Sequence, residues 1–331
     1  MSVKSIKNSF TRLLPILAVL LAFFILAAFS APAMEGARRG LDTCISVIVP
    51  SLLPFFTLSY LLSGLGGPLL LGQKAAPLMS TLFGVSGSGA AAFFLGLSGG
   101  YPLGAATVCD LYRRGAVGKK EAEHLLGFCN NSGPAFILGA AGTGIFGSAK
   151  IGLLLYGAHV MAAFLVGIAQ RGTNPRQGED RALPPPGTNP RQGGDHALPP
   201  PFKRGLTKPF SQAFPDAVWM AVRACAVICG LVVFFSAVIG LLPALEPGWA
   251  QSLLTGILEL GSGVSSLRGL PATPLNLALC SFLLGFGGLC VHGQTLALCS
   301  RAGLKCGRHF AGKLAHGVLS AAIVAGIIIV R

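Results

Sequence analysis

The sequence FFLGLSGGYPLG at residues 93–104 recurs in altered form as FLLGFGGLCVHG at residues 282–293. At one constant offset, three glycines of the first stretch coincide with three of the second: Gly96 with Gly285, Gly99 with Gly288, and Gly104 with Gly293. Paired interruptions of apolar helices, at corresponding places in two halves of a chain, are typical of a transporter's binding site. The pattern therefore predicts two broken helices, one from each half, that meet near the middle of a membrane.

The composition places the chain in a membrane. Of its 331 residues 52% are hydrophobic and 11% are charged, whereas a soluble domain carries about 25% charged residues. The 46 glycines suit helices that pack closely or break. We therefore predict an all-α polytopic membrane protein, with the lipid bilayer as its surroundings.

The net charge of +14 at pH 7 is concentrated in three basic groups. One precedes the first apolar run and a second lies in the central polar stretch. The third contains Arg301, Lys305, Arg308 and Lys313. Basic loops mark the cytoplasmic side of a membrane and attract anionic lipid headgroups. Because no sizeable soluble domain carries this charge, nucleic acid is not an expected partner.

Apolar runs divide the chain into a first membrane half at residues 1–170 and a second at 209–331. We expect about eight to ten membrane segments in two pseudo-repeats, by length and hydropathy. The pattern leaves open whether the repeats are parallel or inverted. The expected helical runs are 13–31, 41–65, 78–97, 103–111, 119–126, 135–146, 151–168, 217–242, 249–260, 275–290 and 312–330.

The stretch between the halves, residues 171–208, contains a tandem repeat at 172–201. GTNPRQGEDRALPPP is followed there by GTNPRQGGDHALPPP. Proline, glycine and charged residues dominate, so this segment cannot bury a core. We interpret it as a disordered linker, with docking of a protein partner as the alternative.

Neither a metal site nor a catalytic site is expected. The nine cysteines lie mostly in apolar segments, without a CxxC pair or a Cys/His cluster at metal-ligand spacing. The sequence contains no HExxH motif, no Walker A motif and no nucleophile elbow. We therefore predict no catalytic residues, no cofactor and no enzymatic activity.

Polar residues beside the two breaks form a candidate binding site. Broken backbone at membrane depth must be buried in protein or line a wet cavity, and the start of a helix attracts anions. A small anionic or polar solute is the expected ligand. The candidate residues are Ser98, Gly99, Gly100, Tyr101, Pro102 and Gly104 at the first break; Gly287, Gly288, His292 and Gln294 at the second; Asn130, Asn131, Ser132 and Gly133 in a polar loop; and Arg223 and Glu259 inside apolar runs.

Each of these features also has a structural interpretation. The glycines would then only allow close helix packing, and Arg223 would extend to the membrane interface. His159 is interpreted as a hydrogen-bonded packing residue. At the level of the whole protein, the alternative to a transporter is a membrane scaffold or assembly factor, which would tolerate loss of the polar groups.

Four stretches of the chain are distinctive: VPSLLPFFTLSYLL at 49–62, LSGGYPLGA at 97–105, KKEAEHLLGFCNNSGPAFILG at 119–139 and GFGGLCVHGQ at 285–294. They resemble the YlbJ (SpoVV) family of sporulation integral membrane proteins, within the nucleoside recognition or Gate domain superfamily. The resemblance covers most of residues 10–330, apart from the tandem repeat.

The family resemblance implies a role in endospore formation, with movement of dipicolinic acid across the outer forespore membrane. The superfamily label implies nucleosides as the alternative substrate. Homo-oligomers and other sporulation membrane proteins are the protein partners that the resemblance leaves open.

Overall fold

The computed structural model describes residues 3–113, 115–171, 209–242 and 248–330. In these ranges the regular structure is helical and no strand occurs, which confirms the predicted all-α class. The linker predicted at 171–208 lies outside the described residues beyond Arg171.

The described residues of the first half form a series of eight α-helices. Two π-helical segments, Cys44–Ile48 and Ala135–Ile145, interrupt it. The first precedes Pro50, whose missing N–H prevents regular α-helical bonding. The α-helices are α1 (Val3–Ala28), α2 (Ser30–Thr43), α3 (Val49–Gly64), α4 (Gly67–Phe83), α5 (Gly89–Gly99), α6 (Leu103–Arg113), α7 (Lys119–Leu125) and α8 (Ala149–Gln170).

The second half consists of longer helices with clear start signals. At the start of α12, Thr273 accepts a hydrogen bond from the N–H of Asn276, and Pro274 occupies the first helical position. The helices are α9 (Phe210–Gly240), α10 (Trp249–Leu258), α11 (Leu260–Ser265), α12 (Pro274–Phe286), α13 (Gly288–Ala302) and α14 (Gly307–Ile329).

Several helices are long and apolar enough to cross a bilayer. Four candidate spans meet both criteria in the described residues, and α1 with α2 makes a fifth if that pair, bent by 95°, is counted as one. The four are α8, α9, the α12–α13 pair and α14. Shorter apolar helices at 52–64, 89–99 and 135–145 account for further segments of the predicted number. The chain is a multi-pass membrane protein.

Several predicted helical runs differ from the structure. The run at 13–31 is broken at Phe29, between α1 and α2, and the run at 41–65 is divided between the end of α2, a π-helical segment and α3. The run at 78–97 is divided between α4 and α5, because Gly84 takes a left-handed conformation (φ +66°) that ends α4. The run at 249–260 ends at Leu258, and α11 then begins at Leu260 and continues through Gly261, Ser262 and Gly263. An extended Glu259 separates the two helices.

The two halves interlock. Helix α9 of the second half packs against α2 and α3 of the first, and α14 packs against both α12 and α8. Glycines allow these approaches: an added Cβ on Gly240 would lie 2.3 Å from the carbonyl oxygen of Pro32. Interlocking brings the broken helices of both halves to the same buried region.

Candidate functional site

The first helix break packs directly on the polar loop at 129–133. Helix α5 ends at Gly99, and Gly100 has a φ of +83°, a conformation in which glycine is favoured. A Cβ on Gly100 would lie 2.9 Å from the backbone nitrogen of Gly133. One on Gly104 would lie 1.9 Å from the carbonyl oxygen of Cys129. Glycine is therefore required where this loop touches the break.

The second break touches the first through Tyr101. Helix α12 ends at Phe286, and Gly287 (φ +90°) and Gly288 (φ +75°) turn the chain into α13. The Tyr101 hydroxyl hydrogen-bonds the carbonyl oxygens of Leu284 at 3.0 Å and Gly285 at 3.1 Å. Such carbonyls lack partners inside the helix. A Cβ on Gly287 would lie 3.3 Å from the tyrosine ring, so the two breaks are in contact.

Asn130 occupies the start of α6, where an anion was expected. Its Oδ1 accepts from the backbone N–H of Ala105 at 3.3 Å, and its Nδ2 donates to Oγ1 of Thr295 on α13 at 3.0 Å. The Asn130 side chain is fully buried. At this N–H a side chain of the protein therefore caps the helix.

A buried lysine lies at the centre of this region. Lys313, on α14, is 0% exposed. Its Nζ lies 2.7 Å from the carbonyl oxygen of Asn130, 3.3 Å from Oδ1 of Asn131 and 3.1 Å from Nδ1 of His316. The ammonium also lies 5.1 Å from the centroid of the Tyr101 ring. Lys313 therefore joins the first break and the polar loop to α14.

Two histidines face each other beside the lysine. The rings of His316 and His159, on α8, have centroids 4.3 Å apart. The backbone N–H of Ser132 donates to Nε2 of His159 at 3.1 Å. Since that nitrogen accepts, the neutral ring carries its proton on Nδ1.

A second histidine pair links α13 to α14. His309 Nδ1 contacts the carbonyl oxygen of Leu126 at 3.4 Å, so this nitrogen must donate. Its Nε2 then accepts, at 3.1 Å, from Nδ1 of His292. The Nε2 of His292 is left as an acceptor.

Four buried polar atoms at this site have no hydrogen-bond partner among the described residues. Burying a polar group without a hydrogen bond costs about 1–3 kcal/mol. Several such groups together therefore indicate a place where another group binds or protons move. The atoms are Nδ1 of His159, Nε2 of His292, Oε1 of Gln294 and Nε2 of His316.

Some candidate residues lie away from this cluster. Arg223 lies on an exposed face of α9, with its guanidinium 5.1 Å from the Trp219 ring centroid. Glu259 is 4% exposed, and its carboxylate accepts from the backbone N–H groups of Gly261, at 2.7 Å, and Ser262. It therefore caps α11. Ser98 is half-buried, and Gly99 packs against the side chains of Leu103 and Ser59.

The sequence analysis missed several residues of the cluster, and one reason is clear. Lys313 was grouped with the basic loop residues that precede it, but it lies inside a membrane-length helix. A signal was present, because polar residues recur there at helical spacing on one buried face. These are His309, Lys313, His316 and Ser320. Thr295 and His159 join them from α13 and α8.

Two cavities open elsewhere in the molecule. Each has a volume of about 580 Å³. The first lies beside the α10–α11 break and is rich in hydroxyl groups, with Arg39 at its wall. The second shares Thr43 and Ser265 with it. Neither is lined by Lys313 or the four histidines, and these five side chains are at most 2% exposed. Over the described ranges, no group of three His, Cys, Asp or Glu side chains could hold a metal ion.

Comparison with known proteins gives one informative relative. No family model matches the chain, and no solved structure matches it. The sporulation integral membrane protein YlbJ of Bacillus subtilis (strain 168) is 28% identical over 316 residues, which cover 88% of this chain and 76% of that protein. Over most of its length the chain is therefore similar to a sporulation integral membrane protein, in agreement with the resemblance carried by its four distinctive stretches.

Proposed function

We propose that the chain is a membrane transporter of a small anionic solute in the sporulating cell. The sporulation setting rests on the relative's name. The proposal that the solute is an anion is based on Lys313, which is fully buried in a membrane-length helix. No carboxylate lies within salt-bridge distance of it in the part of the chain that the structure describes. Ionisable residues in such places are costly and mark pathways for solutes or ions.

The surroundings of Lys313 suit a carboxylate-bearing solute. Two buried N–H groups, on Nδ1 of His159 and Nε2 of His316, have no partner among the described residues. Together with the ammonium they supply donors to an anion, and charge-assisted hydrogen bonds to carboxylates are stronger than neutral ones. An anion would also provide the opposite charge that the buried lysine lacks.

Dipicolinic acid is the substrate that we propose, and the outer forespore membrane is the proposed location. Both follow from the family resemblance. Dipicolinate is a flat dianion with a ring nitrogen, so its carboxylates match the lysine and the imidazole donors. A scaffold or assembly factor is less well supported, because it does not need buried polar groups beside two helix breaks.

The test is solute uptake by vesicles that contain the purified full chain. Dipicolinate, a nucleoside and a control anion should be compared. We expect dipicolinate to enter, and Lys313→Met to reduce its entry at least tenfold without loss of protein from the membrane. Lys150→Met is the matched control, because this exposed lysine also lies in a membrane-length helix. Its uptake should stay within about twofold of wild type.

Other outcomes separate the alternatives. Entry of nucleosides alone would replace dipicolinate with the superfamily's substrate. A chain that moves none of the compounds, yet is required for sporulation in cells, would be a scaffold. Equal uptake by Lys313→Met and Lys150→Met would remove the lysine from the site.

A further inference from the structure

The polar contacts of Lys313 fit two protonation states equally well. As an ammonium, it donates its three hydrogens to the carbonyl oxygen of Asn130, Oδ1 of Asn131 and Nδ1 of His316. As a neutral amine, it donates two hydrogens to the asparagine oxygens and accepts one from His316 Nδ1–H. No heavy atom has to move between the states. The site can therefore gain or lose one proton at little structural cost.

We propose that Lys313 and His316 carry a proton together with the solute, so that transport by this chain is coupled to proton movement. The inference rests on the proposed transport function. In each cycle neutral Lys313 takes up one proton from one side of the membrane as the anion binds. The proton and the anion are then released to the other side, which restores the neutral amine.

The energetics of burial favour this coupling. A charge buried without an opposite charge is costly, and such a group commonly becomes neutral instead. Without solute, the described residues offer Lys313 no carboxylate, so the neutral amine is favoured. A bound anion reverses the preference, because it stabilises the ammonium next to it. Solute binding and proton binding therefore strengthen each other.

The groups around Lys313 provide places for the proton to go. On its own helix α14, His316 contacts the amine and His309 lies one turn before it. The ring of His159 on α8 lies 4.3 Å from that of His316, centroid to centroid, and His292 of α13 contacts His309. The Tyr101 ring and the Cys129 thiol also face the amine.

These polar groups follow one buried face of α14. The face begins at His309 and continues through Lys313 and His316 to Ser320, which contacts Ser281 of α12 at 2.6 Å. Four positions over three helical turns extend about 16 Å, roughly half of the hydrocarbon thickness of a bilayer. On this face the Nε2 of His316 has no hydrogen-bond partner among the described residues, so this imidazole is suited to receive and pass protons.

The test measures proton and solute movement in the same vesicles. Vesicles containing the full chain are loaded with a pH-sensitive dye, and the membrane potential is clamped with potassium and valinomycin. Dipicolinate is added outside at equal internal and external pH. We expect its entry to acidify the interior, and protein-free vesicles correct for leakage. Solute entry without acidification would overturn the coupling and leave the transport function intact. Absence of any solute entry would overturn the transport function and the coupling with it.

Lys313→Arg separates binding from coupling. The guanidinium remains charged and cannot give up its proton. We expect the number of protons that enter with each solute molecule to fall at least tenfold, whatever rate of solute movement the variant retains. Full proton-linked uptake by this variant would refute the role of Lys313.

A second variant decides the outcome if Lys313→Arg does not accumulate or no longer moves solute. His316→Asn keeps an acceptor near the Nδ1 position but has no second ring nitrogen. We expect the number of protons that enter with each solute molecule to fall about tenfold, measured against the solute entry of the same variant. Acidification at the wild-type rate would refute proton transfer through His316. Lys150→Met again serves as the control that keeps both activities.

Discussion

Because α6 approaches the polar loop closely, replacing two corresponding glycines with alanine should have opposite effects on the stability of the protein. Gly104 and Gly293 occupy corresponding places in the duplicated pattern. A Cβ on Gly104 would lie 1.9 Å from the carbonyl oxygen of Cys129 and 2.9 Å from the Cα of Asn130, whereas a Cβ on Gly293 meets nothing within 4 Å. We therefore expect Gly104→Ala to destabilise the protein and Gly293→Ala to stabilise it.

The magnitudes follow from the two environments. To accept Gly104→Ala, the loop must retreat by about 1 Å or more before ordinary contact distances return. Overpacking of this kind costs roughly 1–3 kcal/mol. The shift also strains the hydrogen bond from the backbone N–H of Ala105 to Asn130. Gly293 lies inside α13, so alanine there should gain about 0.5–1 kcal/mol in helix stability.

Thermal unfolding in detergent, followed with a thiol-reactive fluorophore, measures both effects. The assay suits this chain, because eight of its nine cysteines are buried and none is in a disulfide. We expect the midpoint to fall by several degrees for Gly104→Ala and to rise slightly for Gly293→Ala, at about 2–4 °C per kcal/mol. Equal midpoints for the two variants would refute the packing of α6 on the loop.

Three further predictions concern buried polar contacts. Asn130→Ala should lower the free energy of unfolding by about 1–3 kcal/mol in the same assay, because the N–H of Ala105 loses its partner; an unchanged midpoint would contradict the cap. Glu259→Gln should destabilise by about 1 kcal/mol, because an amide oxygen replaces a carboxylate that caps α11; solute uptake should persist, and its loss would place Glu259 in the site. His124 lies in α7, outside the membrane-length helices. Burial lowers the pKa of its imidazole and the nearby Arg308 lowers it further, whereas a hydrogen bond to a backbone carbonyl raises it by less than burial lowers it. The unfolded chain then binds more protons, so stability should fall as the pH drops below about 6.5, and His124→Gln should flatten that dependence.

The sequence predicted helix ends well where glycine and proline lie together at the end of an apolar run. The break before α6 was expected from Gly99, Gly100 and Pro102, and α12 ends at Phe286, directly before Gly287 of the second glycine-rich stretch. The division between α4 and α5 was missed, although residues 84–89 read GVSGSG, a stretch rich in glycine and serine that is typical of a break between helices. Whether Gly84 takes a left-handed conformation depends on the surrounding packing.

The site was predicted less completely, because it depends on contacts between distant parts of the chain. Tyr101 and the asparagines were singled out for their polarity beside the breaks. Lys313 was not singled out, because it lies near the start of an apolar run and follows other basic residues. Such a residue resembles a loop residue until the start of the helix is known. Only packing against Asn130 shows that it is buried.

The glycines and the lysine belong to one arrangement. The polar loop supplies the carbonyl oxygen of Asn130 to Lys313. Gly127 lies just before this loop, and a Cβ on Gly312 would lie 2.0 Å from the carbonyl oxygen of Gly127. Gly104 holds the loop from the other side by its contact with Cys129. Gly312, beside the lysine, thus lets α14 approach the loop closely. The Nζ of Lys313 then reaches the backbone carbonyl oxygen of Asn130 and the side-chain Oδ1 of Asn131. Close packing and solute binding are therefore not competing interpretations of these glycines, since the packing creates the position that the buried amine occupies.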